Sequence, residues 1–162
     1  GSVSLLKKSN SAVGELVSVA SAAGAAKATA GTNIIARQRM LIQRMTKETL
    51  LVALGFNLEA DTASLKASSR LFRDSHLGVV FGAPWADVTV MTNVCTMRQM
   101  SVVSAEWEAY EALIDPITSA GSLQQANAIA LRDARNITMR TDTLFAGQVA
   151  AVKLYIYETS DC

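Results

Sequence analysis

Between Thr32 and Met45 the chain reads TNIIARQRMLIQRM. No proline or glycine interrupts this stretch. Ile34, Leu41 and Met45, with Val52 beyond them, return to one side of a cylinder, as the apolar residues of an amphipathic helix do. Upstream, Leu16, Ala20 and Ala23 continue that stripe, so the helical reading extends from about Val3 to Leu54 and stops at Gly55. At 1.5 Å per residue such a helix is roughly 75 Å long. It either forms the antenna of a bundle or breaks at Gly24 or Gly31.

A second stripe of the same helix differs in character. Ser11, Gly14, Ser18, Ser21, Ala25, Ala28, Thr32, Ile35, Arg39, Ile42, Thr46 and Thr49 recur at three- and four-residue spacing, mostly small, with one arginine among them. Small side chains let two backbones approach closely. The neighbour is either another helix of the same chain or the same helix of a second subunit, where a twofold axis brings each residue to its own copy. In the second geometry Arg39 meets a second Arg39. Two guanidinium charges about 5 Å apart repel by roughly 3 kcal/mol at an effective dielectric near 20. A planar oxyanion between them reverses the sign, because each guanidinium can donate two parallel hydrogen bonds to it. Arg37 and Arg44 lie on a different face, where they add positive field or pair with Asp or Glu.

Outward from this helix the pattern repeats. Asn57 or Asp61 is placed to cap a second helix, on which Leu58, Leu65, Phe72 and Val79 fall seven apart. Gly78 to Asn93, with Gly82 and Pro84, reads as a loop that folds Trp85 back onto the bundle. A third helix to about Ile114 carries the stripe Met97, Met100, Val103, Trp107, Tyr110 and Ile114; Asp115-Pro116 and Gly121-Ser122 then mark a turn. A fourth runs from about Leu123 to Tyr157 with Ile137, Leu144 and Val152 among its apolar positions. Four helices joined by short turns predict an all-α fold, an antiparallel up-down-up-down four-helix bundle with a long first helix.

Composition agrees with one helical domain. Half of the 162 residues are hydrophobic but only 6% are aromatic and 2 are proline, which argues against a β-sandwich and against disorder. A net charge of +1 gives no broad surface for nucleic acid. No stretch is long and apolar enough to span a membrane. Gly1-Ser2 reads as a cloning scar, leaving residues 3–162 as a single domain, and any membrane or output segment would lie outside it.

One histidine, His76, and two cysteines, Cys95 and Cys162, cannot assemble a zinc site of the usual kind or a di-iron centre. A nucleophilic triad would have to use His76, which the amphipathic pattern places as a packing or water-facing residue, so the sequence predicts neither an enzyme nor a cofactor. With Cys95 early in helix three and Cys162 past the end of helix four, a separation of roughly 25 Å is expected, too far for an intrachain disulfide. Cys162 could still bridge subunits.

The arginine segment resembles the signature of the type IV pili methyl-accepting chemotaxis transducer N-terminal (PilJ-type) domain, a domain related to the sensor region of nitrate/nitrite sensor kinases. That signature is close to I-N-x-A-G-R-Q-R-M-L-S-Q-R-M, and this chain keeps its Asn33, the run Arg37 to Leu41 and the closing Gln43-Arg44-Met45. Looser likeness covers Leu50 to Gly55, Phe72 with Gly82, and Met100 to Trp107. The resemblance implies an extracytoplasmic bundle, periplasmic or extracellular, held between two membrane helices and working as a homodimer. It also implies that Arg39 of both subunits clamps one small anion, nitrate foremost, with Asn33, Arg37 and Arg44 in the same motif. The informative departures are Ile35-Ala36 in place of Ala-Gly and Ile42 in place of Ser. Bulk at Ile35 and Ile42, one turn either side of Arg39, would narrow or dry the site or push the helices apart.

Two functions follow from these features. In the first, an anion bound between subunits biases the long helices of a sensor with a membrane-linked output. In the second, the domain dimerises or contacts a protein partner with no small ligand, and Arg39 is satisfied by a carboxylate such as Glu48 or Asp142.

Overall fold

A computed structural model describes residues 26–86, 88 and 90–157. They form four α-helices: α1 Ala26–Leu54, α2 Leu58–Phe81, α3 Val94–Thr118 and α4 Leu123–Tyr157. The expected helix over 3–25, with its half of the small-residue stripe, lies outside the described residues.

The helix ends follow from local chemistry. Gly55 adopts φ +74 and its N–H bonds back to Leu51 and Val52, closing α1 in the left-handed conformation that glycine takes without strain. Asn127 of α4 donates to the carbonyls of Val52 and Ala53, so α4 satisfies the last turn of α1. Asn93 Oδ1 accepts from the Thr96 amide, a side-chain cap for α3. Ser122 accepts from the Gln125 amide while the Gln125 side chain accepts from the Gly121 amide, a reciprocal pair that starts α4 at Leu123. Asn57 precedes α2 as expected but makes no side-chain cap bond.

Three boundaries or faces depart from the sequence reading. α2 continues through Gly78 to Phe81, because burying Val79 beneath Leu65 and Phe72 requires the helix to persist. α3 runs through Pro116 to Thr118: Ile114 and Ile117 are both fully buried, and keeping them on one face carries the helix past the proline, where only the last turn lacks a backbone bond. Met97 is half-exposed, since Thr96 takes the core-facing position above Met100. The loop after α2 is tied by reciprocal Ala83–Val88 backbone bonds, and Ala83, Val88 and Met91 are buried. The side chain of Trp85 lies outside the described residues.

Cross-helix bonds give the topology. Gln38 and Thr46 of α1 pair with Gln148 and Thr141 of α4; His76 and Arg73 of α2 pair with Ser104 and Glu111 of α3; Gln99 and Arg140 pair α3 with Gly147 and Glu106. In each case the number rises along one helix and falls along the other, so the neighbours are antiparallel and the bundle is up-down-up-down. The core is apolar, with Phe72, Trp107 and Tyr110 packed in sequence at ring separations of 4.2 and 6.0 Å. Four polar links, Gln38–Ser75, Gln38–Gln148, His76–Ser104 and Gln99–Gly147, join neighbouring helices beside it.

The disulfide expectation is overturned. Cys95 is disulfide-bonded, and Cys162 is the only other cysteine of the chain. The antiparallel pairing supplies the reason: Gln99 reaches Gly147, so the start of α3 lies beside the last turns of α4 and not a bundle length from them.

Candidate functional site

The arginine segment occupies the middle of α1, and α4 covers one side of it. Ile35, Ile42 and Thr49 are fully buried, and Thr46 bonds Thr141 of α4 at 2.6 Å and Tyr110 of α3 at 3.2 Å. Over residues 35–49, then, the small-residue stripe packs against helices of its own chain, the first of the two neighbours considered for it. The bulk of Ile35 and Ile42 goes into the core.

Arg39 sits on this seam but at its rim, partly exposed. Its Cζ lies 4.7 Å from the ring centroid of Phe145 on α4, a cation–π contact. Its Nε is buried without a hydrogen-bond partner. Among the described residues no carboxylate pairs with it: Glu48 is taken by Arg44, whose Nε donates to Oε1 at 2.7 Å one turn away, and Asp142 is exposed. Arg37 is exposed on the outer face. Asn33 is partly buried, one and a half turns before Arg39, and its Oδ1 has no partner. Ala36 and Met40, flanking Arg39 on the outward side, are partly buried. The structure therefore joins Arg39 to Phe145 and leaves Arg37 and Arg44 in separate environments.

Two participants were not foreseen. Gln38, between the motif arginines, is wholly buried: it donates to Ser75 Oγ at 3.1 Å and accepts from Gln148 Nε2 at 2.8 Å. The only sequence signal for it was a polar residue off the outward face of α1. Phe145 carried no signal, because nothing local to α4 says which α1 residue it will meet.

Other ionisable groups are structural. Ser104 donates its hydroxyl to the Met100 carbonyl, so His76 Nε2 must carry the proton donated to Ser104 Oγ, and Nδ1 is left buried without a partner. Burial there lowers the His76 pKa to about 4. Burial also raises the Tyr110 pKa, opposed by its bonds to Thr46 and Thr141. Among the described residues no group of His, Cys, Asp and Glu could hold a metal. An open groove on the outer face of α2, lined by Ala63, Lys66, Ala67, Arg70, Leu71 and Asp74, contains none of the motif residues.

With this geometry in place, the family model of the type IV pili methyl-accepting chemotaxis transducer N-terminal domain, PilJ, matches residues 20–135. The chain belongs to the PilJ family. No curated protein and no solved structure matches it. A PilJ domain is a sensor-type helical module of membrane-associated chemotaxis transducers, a signalling element and not a member of a known enzyme family. No helix among the described residues is long and apolar enough to cross a membrane. The PilJ match spans α1, α2, α3 and the first part of α4, and ends before Phe145 and Gln148.

Proposed function

We propose that this PilJ domain is the extracytoplasmic ligand-binding part of a transmembrane receptor, and that it binds a small planar anion of the nitrate class between two subunits through paired Arg39 side chains. The carrying observation is that Arg39, a cation partly withdrawn from water, has no carboxylate partner among the described residues, while Glu48, two and a half turns along α1, is paired with Arg44. An anion supplies the missing charge and accepts from the guanidinium fork. Arg39 keeps an exposed edge next to Ala36, Met40 and Gln43, where a second α1 can approach. The Cys95 disulfide supports the extracytoplasmic placement, since such bonds persist in oxidising compartments. The bridging bonds form only when both arginines converge, so the anion has different affinities for two helix arrangements, and that difference is what shifts their equilibrium.

The other reading, a module that dimerises or binds a protein partner without a small ligand, draws on the Arg39–Phe145 contact, which already stabilises the cation. Calorimetric titration at a known dimer fraction separates the two. Saturable binding near one nitrate per two chains, absent in Arg39→Ala and weaker with chloride or nitrite, supports the anion sensor. No nitrate heat from the wild type, with normal folding and dimerisation, rules it out in favour of the partner module.

A further inference from the structure

We infer that Phe145 is the positioning residue of the anion site: its ring holds the Arg39 guanidinium in place without using the hydrogen-bond donors that the ligand needs. This rests on the anion reading given above. A carboxylate in the same place would fix the side chain but occupy its N–H fork; an open position would leave four rotatable bonds free and charge an entropic cost to every binding event. An aromatic face attracts the cation through its quadrupole and takes neither parallel N–H pair.

Three observations point to this role. Arg39 Cζ lies 4.7 Å from the Phe145 centroid, although α4 presents the carboxylate of Asp142 one turn away. Only Nε of Arg39 is buried and unpartnered; its two terminal nitrogens make no bond among the described residues and are not buried, so they remain available. The register that brings ring and cation together is held by a neighbouring pair, since the buried Gln38 directly precedes Arg39 and Gln148 lies one turn beyond Phe145, and the two are bonded to each other at 2.8 Å in the core. Phe145 therefore orients the cation while leaving its terminal nitrogens open to the ligand.

The test replaces Phe145 by leucine, by tyrosine, and by phenylalanine carrying one, two or three ring fluorines, which drain the quadrupole while keeping the shape. Nitrate affinity is measured by calorimetry, and folding by circular dichroism. Phe145→Leu is expected to weaken nitrate by roughly 2- to 30-fold, Phe145→Tyr to stay near wild type, and the fluorinated series to weaken stepwise. In the wild type, the Arg39 Nε–H resonance carries a ring-current shift that Phe145→Leu removes. A flat fluorine series, or a folded Phe145→Leu that binds nitrate as tightly as wild type, overturns the inference and leaves the anion site standing. If the wild type binds no nitrate, both fall together. Should Phe145→Leu fail to fold, the fluorinated series, only slightly larger than the native ring, decides alone.

Discussion

Gln148 Nε2 donates to Gln38 Oε1 across the α1–α4 interface at 2.8 Å, with both side chains wholly buried. Gln38 passes the direction on, donating to Ser75 Oγ, which donates to the Phe72 carbonyl. The result is a one-way relay of donors from α4 through α1 to α2, with one acceptor, Gln148 Oε1, left over at its head.

Breaking that relay at one end leaves buried polar atoms unmatched. Gln38→Leu or Gln148→Leu alone is expected to cost about 1–3 kcal/mol in urea denaturation, and the double variant clearly less than the sum. Additive losses would show that the two amides act independently.

His76 makes stability depend on pH in a defined direction. Its folded pKa of about 4 lies below the ordinary 6.5, because a proton on Nδ1 would place an unpartnered charge in the core. Between those values the unfolded chain holds more protons, so stability falls as pH drops from 6.5 towards 4, by up to about 3 kcal/mol. Carboxylates titrate in the same range, so the comparison is with His76→Leu, whose curve should be flatter by that amount. Parallel curves for the two proteins would refute the assignment.

The Cys95 bridge closes a long loop that includes α3 and α4. Its reduction, or Cys95→Ser, is expected to lower stability by about 2–4 kcal/mol. Reductant should then have no further effect on the variant, and thiol titration of the unfolded wild type without reductant should find no free cysteine.

Gly82 turns the chain out of α2 at φ +86, and a Cβ there would meet the Val90 Cγ2 at 3.0 Å and the Val90 amide nitrogen at 3.1 Å. Gly82→Ala should destabilise by about 1–3 kcal/mol, whereas Gly121→Ala, which meets only the end of the Gln125 side chain at 3.5 Å, should cost less. Thermal melting of the pair checks the ordering.

Phe145 and Cys95 take their roles from partners distant in sequence, which no local pattern marks. Leu65, Phe72 and Val79 announce a buried helical face by spacing alone, and all three are fully buried. Gly55 and the Ser122–Gln125 pair mark helix ends because φ and capping bonds are set within a few residues. The motif around Arg39 likewise belongs to a contiguous stretch, which is why its family was visible from residues 32–45.

By itself, then, the order of residues determined that four helices form, roughly where they stop, which stripe of each is apolar, and to which family the arginine segment belongs. These are consequences of interactions between positions three, four or seven apart. Only the tertiary structure decided that the stripe at Ile35, Ile42 and Thr49 is covered by the chain's own helices, that α3 passes through Pro116, that Cys95 is bridged, and that Arg39 rests on Phe145. Each depends on which surfaces meet when antiparallel helices slide into register, and that register is set by long-range packing, to which no local pattern is sensitive.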